Sequence, residues 1–154
     1  MNESPVLNAH HKAEYPPMHT AEHILNRTMV EMFGCERSRN AHIERKKSKC
    51  DYHLPQAPTP TQIEAIERRV NDVIASELDV TIEFVDRDHV PPEVDLSKLP
   101  MEASDTLRLV RVGTYDVCAC IGAHVQNTRE MGAFKILSSD WSEGVWRVRF
   151  KLMD

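Results

Sequence analysis

Ile24, Leu25, Thr28, Met29 and Met32 recur at helical spacing, which predicts a first helix from about Met18 to Phe33. Pro16-Pro17 stand just before it and Gly34 just after, a common way to start and stop a helix. Thr59-Pro60 opens a second helix, with Thr as N-cap and Pro at the first helical position. Ile63, Ile66, Val70, Val73, Ile74 and Leu78 form its buried stripe. Elsewhere the period shortens to two. Val80, Ile82 and Phe84 alternate, residues 107 to 112 read as a strand, and so do 133 to 138 and 145 to 152. In the last of these, Trp146, Val148, Phe150 and Leu152 alternate with Arg147, Arg149 and Lys151, so one face is core and the other basic. Residues 35 to 54 read as two further strands, and residues 86 to 103 as irregular chain with a short helical turn near Asp95 to Leu99. The order is helix, strands, helix, strands, without regular βαβ alternation. It predicts an α+β domain, helices packed on an antiparallel sheet.

Length and composition narrow this picture. A chain of 154 residues, 41% hydrophobic and 28% charged, suits one soluble domain with a full core. The expected division is an extended leader over residues 1–17 and one domain over 18–154. No apolar run approaches the ~18 residues that span a bilayer. The N-terminus lacks a basic segment followed by an apolar one, so a cytoplasmic setting is expected, with Cys35, Cys50, Cys118 and Cys120 as reduced thiols. Net charge is −5, but residues 37 to 49 hold six positive charges against Glu44, a local +5 that leaves −10 for the remainder. That stretch is either a solvated hairpin or the footprint of a polyanion.

The chemistry sits in two short stretches. His19 and His23 lie four apart at the start of the first helix, where both imidazoles can face one ion. Chance alone supplies about 0.4 such pairs in this composition, so the pair decides nothing by itself. Cys120 and His124 repeat the spacing in Gly113-Thr114-Tyr115-Asp116-Val117-Cys118-Ala119-Cys120-Ile121-Gly122-Ala123-His124. Three imidazoles and one thiolate are a zinc set, either closing a site or leaving one position to water or substrate. Cys118 reads as a small buried side chain. His42, His53 and His89 lack partners at ligand spacing, and His10 and His11 fall in the leader. His19-Thr20-Ala21-Glu22-His23 also fits H-x-x-E-H, an inverted zinc-peptidase signature, but Cys120 and His124 have no place in that scheme. Glu22 is therefore assigned to the helix N-terminal field or the solvent face.

His19-x-x-x-His23 followed about a hundred residues later by Cys120-x-x-x-His124 resembles the editing domain of alanyl-tRNA synthetases. It is similar as well to the related domain of threonyl-tRNA synthetases and to free-standing AlaX-type proteins. His23-Ile24-Leu25, Lys49-Cys50-Asp51-Tyr52-His53-Leu54, His124-Val125-Gln126-Asn127-Thr128 and Gly132-Ala133-Phe134-Lys135-Ile136 look like that family's blocks, in its order. The resemblance implies a helix-on-sheet fold whose cleft gathers His19, His23, Cys120 and His124 around Zn2+ as the catalytic and metal-binding set. It implies hydrolysis of the ester on a mischarged tRNA, most naturally seryl- or glycyl-tRNA(Ala), by a free-standing trans-editing protein. Asn127 and Thr128, directly after the second pair, are then candidates to read the amino acid, with Thr20 and Thr28 behind them. Arg45, Lys46, Lys47 and Lys135 are candidates for the tRNA end. Ile121-Gly122-Ala123 and Arg129 depart from the small residues common in the family at those places, which leaves the metal set intact and alters the amino-acid contacts. The rival to a hydrolase is a non-catalytic zinc-stabilised tRNA-binding module.

Overall fold

The computed structural model describes residues 15–92, 94 and 106–153. Residues 1–14 of the expected leader and the helical turn expected at Asp95 to Leu99 lie outside them.

Helix α1 spans Pro16–Phe33, so it takes in both prolines, and it ends at Gly34, whose φ of 68° lets its N–H reach the Val30 carbonyl. Its apolar side carries Met18, Ala21, Ile24, Leu25 and Met29, all fully buried. Helix α2 spans Pro60–Ala75 and starts with a reciprocal cap: Gln62 N–H donates to Thr59 Oγ1, and Thr59 N–H donates to Gln62 Oε1. Ile66, Val70, Val73 and Ile74 form its buried stripe; Leu78 lies beyond the helix end.

The strands form two antiparallel sheets rather than one. β1 (Asn40–His42), β2 (Ser48–His53), β7 (Val145–Met153) and β6 (Ala133–Ser142) make a four-stranded sheet in the order β1-β2-β7-β6. Cys50, Tyr52, Phe134, Trp146, Val148 and Phe150 are buried on its inner face. The alternate residues Lys49, Asp51, Lys135, Arg147, Arg149 and Lys151 stand on the other face. β6 runs past the expected end to Ser142, through a register irregularity between Ile136 and Ser138.

The second sheet is β3 (Val80–Asp86), β4 (Thr106–Val112) and β5 (Asp116–Ala119), in that order. β5 is not visible in the hydrophobic pattern. It is four residues long, and its first residue is a buried carboxylate. The faces of this sheet diverge. Val110 and Val112 join the main core, whereas Leu109 and Val117 pack with Val94 in a small second cluster. The first face is thus the one turned to the helices, and it carries Cys118 and, one pair further on, Cys120.

Buried polar bonds fix α1 against this framework. Asn26 Oδ1 accepts from Tyr52 Oη at 2.6 Å and from Ser38 N–H at 3.2 Å, with all three residues buried. Replacing Asn26 by Ala strips both donors of their partner, and each buried unsatisfied group costs about 1–3 kcal/mol. Urea unfolding of Asn26→Ala is expected to show a loss of about 2–4 kcal/mol; an unchanged midpoint would show that this bond does not hold the helix.

Candidate metal centre

His19 and His23 occupy successive turns of α1, and Cys120 and His124 follow the end of β5. The structure brings all four together: their ligand atoms lie within 4.8 Å of one another. The His19 and His124 rings stack with centroids 4.4 Å apart, and His23 meets both edge-on, at 5.4 Å from His19 and 4.5 Å from His124. Cys120 Sγ is 3.6 Å from Nε2 of His19 and 3.6 Å from Nε2 of His124. A tetrahedral zinc with bonds of about 2.3 Å to sulfur and 2.0–2.1 Å to nitrogen places those two ligand atoms about 3.6 Å apart. The donor chemistry and the spacing both fit the ion.

Two of the imidazoles are steered from behind. Thr20, fully buried one residue after His19, holds its hydroxyl 3.0 Å from His124 Nδ1 and accepts the Val125 N–H at 3.3 Å. That leaves His124 Nε2 turned to Cys120. His23 Nδ1 lies 3.7 Å from Asp116 Oδ2. Asp116 in turn receives Arg37 Nη1 at 2.7 Å, Arg37 Nη2 at 3.1 Å and Arg27 Nε at 3.2 Å. The sequence reading passed over this triad, because its members stand 79 and 89 residues from Asp116 along the chain. The loop after β5 is pinned by Arg108, whose Nη1 donates to the carbonyls of Cys120 (2.7 Å) and Gly122 (3.0 Å).

Several expected roles change. Asn127 and Thr128 are buried and committed to structure. Asn127 Nδ2 donates to the Glu77 carbonyl and to Asp79 Oδ1, and its Oδ1 accepts the Arg129 N–H. Thr128 Oγ1 donates to the Ile74 carbonyl and accepts the Leu78 N–H. Together they tie the 3₁₀ turn Thr128–Glu130 to the end of α2. Thr28 likewise is spent on the Ile24 carbonyl and Tyr115 Oη.

Glu22 is not on the solvent face. Its side chain is 17% exposed and 3.7 Å from His19 Nε2, and its charge raises the pKa of Cys50, Tyr52 and Cys120. It stands in the cleft beside the four ligands. Of the basic stretch, Arg37 is consumed by Asp116 and Arg39 pairs with Glu36. Arg45, Lys46 and Lys47 remain exposed on the β1–β2 loop. The Arg45 guanidinium lies 4.6 Å over the ring of Tyr15, whose carbonyl accepts the His19 N–H. Lys135 is on β6, paired with Lys151 on the outer face of the four-stranded sheet.

Residues 107–149 match the family described as "Threonyl and Alanyl tRNA synthetase second additional domain". That stretch is similar to the family's domain. The chain is 32% identical over 136 residues to an alanyl-tRNA editing protein, AlaX-L, of Pyrococcus horikoshii, covering 86% of this chain and 32% of that protein. It is 34% identical over 132 residues to an alanine–tRNA ligase of Fervidobacterium nodosum, 84% of this chain and 15% of the ligase. With an alanine–tRNA ligase of Methanococcus vannielii the identity is 28% over 148 residues, 94% and 17%. The chain thus spans about a third or less of these curated relatives.

Burial and neighbouring charge set the protonation of the centre. Burial, with the charges of His19 and Arg108 adding to it, pushes His124 down to about 3, so its ring is neutral across the physiological range. Burial pushes the Cys120 thiol up to about 11, with the Gly122 N–H opposing and the Cys118 and Glu22 charges reinforcing. The thiol therefore keeps its proton at neutral pH, and a zinc ion taken up there would displace it. One proton released per ion makes zinc affinity rise about tenfold per pH unit between pH 7.5 and 9. Competition against a chromophoric chelator at stepped pH measures that slope; a flat profile would contradict the thiol as a ligand.

Proposed function

We propose that this domain hydrolyses the ester of a mischarged tRNA, most naturally seryl- or glycyl-tRNA(Ala), at a zinc centre held by His19, His23, Cys120 and His124. The supporting observation is the convergence of those four ligand atoms within 4.8 Å, in a chain similar to the synthetase editing family. When bound, the ion supplies Lewis-acid polarisation to the reacting ester. The chain's own groups do the rest. Thr20 holds His124 by its Nδ1, and Asp116 with its two arginines backs His23, so that neither ring must reorganise when the ion or substrate arrives. Glu22, beside His19 in the cleft, offers a carboxylate to the α-ammonium group that an aminoacyl ester carries. Arg45, Lys46 and Lys47 sit where a nucleic-acid backbone could reach them on its way to His19.

One feature favours a second reading. Four protein ligands describe a closed zinc site, and closed sites are structural, whereas catalytic ones keep a position open. A non-catalytic zinc-stabilised tRNA-binding module would have this same set. Deacylation of a panel of mischarged tRNAs separates the two. The isolated, zinc-loaded chain is expected to cleave seryl- or glycyl-tRNA(Ala) added in trans and to spare alanyl-tRNA(Ala). His23→Ala and Cys120→Ala are expected to lose zinc and at least about a hundredfold in rate, since each removes one ligand of the set. If no mischarged ester is cleaved faster than in buffer, the hydrolase reading fails and the binding module stands.

A further inference from the structure

Among the described residues β3 is an edge strand of its sheet, bonded to β4 on one side and on the other only at its start, where the Val80 N–H donates to the Gln126 carbonyl. Its register is Val80 opposite Val112, Ile82 opposite Val110 and Phe84 opposite Arg108. β4 then pairs with β5, Val110 opposite Cys118, and the Cys120 N–H donates to the Arg108 carbonyl one pair further on. Residues directly opposite each other in antiparallel strands share a face. Phe84, Arg108 and Cys120 are thus one row across the sheet, on the face turned to α1 and the metal centre. Along β3 this face opens progressively: Val80 is 9% exposed, Ile82 47% and Phe84 68%. The alternate side chains have evident work, since Glu83 pairs with Arg111 and Val85 packs in the small second cluster. An edge strand ordinarily carries polar or charged side chains at open positions. Here it presents an aromatic ring and a branched aliphatic instead.

We propose that Ile82 and Phe84 form the platform on which the 3′-terminal adenine of the tRNA stacks. The inference rests on the reading of the metal centre as a tRNA deacylation site and extends it to the nucleotide that bears the ester. Two features select a nucleobase over other apolar occupants. The platform is continuous with the metal centre: two strand spacings, about 10 Å, separate the backbones at Phe84 and Cys120, within the reach of an aminoacylated adenosine from its base to its amino acid. The residue between them is a cation. Arg108 is fixed by the Cys120 and Gly122 carbonyls, and its charge is felt at both Cys120 and His124. An apolar face and an ester-cleaving centre in one row suit a base and the acyl ester on its ribose, and the cation between them suits the 5′-phosphate that the same ribose carries. Stacking on an aromatic ring accepts a base without reading its edge, which suits a nucleotide that is the same in every tRNA.

The test uses a CC(2-aminopurine) trinucleotide, the tRNA end with its last adenine replaced by a fluorescent base that is quenched on stacking. Zinc-loaded protein is titrated against it, and deacylation of mischarged tRNA is measured in parallel. Wild type is expected to quench the probe, Phe84→Trp to quench it as well, and Phe84→Ala to bind about 5- to 100-fold more weakly with zinc content unchanged. The same Phe84→Ala loss is expected in kcat/KM for the charged tRNA. Equal quenching by wild type and Phe84→Ala, no quenching by wild type, or a wild-type dimer that Phe84→Ala dissolves would each overturn the platform. Quenching that depends on Phe84 in a protein that cleaves no ester would support the platform and overturn only the hydrolase reading.

Discussion

The rotation of α1 about its own axis decides whether this molecule has a site at all. An apolar stripe such as Met18, Ala21, Ile24, Leu25 and Met29 tells the helix which side to bury, but hydrophobic packing is non-directional. Directional bonds remove the remaining freedom, and α1 makes them to several places around it. Thr20 reaches His124 in the loop after β5, Asn26 reaches Tyr52 on β2, Arg27 reaches Asp116 on β5, and Thr28 reaches Tyr115 in the β4–β5 turn. Four bonds to four places leave the helix one angle, and at that angle His19 and His23 meet Cys120 and His124.

The Asp116 cluster shows what this costs. A carboxylate with no exposed side-chain surface sits between two arginines, with His23 at its fourth side. Burial opposes the charge on Arg37, and Asp116 more than offsets it, raising the Arg37 pKa. Such buried pairs add little net stability over an apolar replacement, and losing one partner is expensive, about 3–5 kcal/mol. Their value here is positional: the charges that restrain Asp116 also back the imidazole of His23 at 3.7 Å.

Much of this was legible in the chain. The two helices, their caps and most strands follow from period and punctuation, and two four-residue spacings named the four residues that converge. What escaped did so for physical reasons. β5 is short and starts with a buried Asp, which reads as polar loop until its arginines are seen across the fold. Asn127 and Thr128 directly follow His124 in sequence, and only the fold shows that the chain turns there and bonds them to the end of α2. Glu22 was set at the helix N-terminal field or on the solvent face, although a residue three positions from His19 shares its side of the helix. Alternation along β3 marked a strand and implied a buried face; only the sheet order shows that Ile82 and Phe84 overhang the core.

The proposed site is one coordination sphere, three imidazole nitrogens and one thiolate drawn from two distant stretches of chain. X-ray absorption at the zinc edge of the metal-loaded protein reads that sphere directly. The expected spectrum fits one sulfur at about 2.3 Å and three nitrogens at about 2.0–2.1 Å, with the sulfur shell lost in Cys120→Ser. A sphere of two or more sulfurs, or one of nitrogen and oxygen alone in the wild-type protein, would contradict the site.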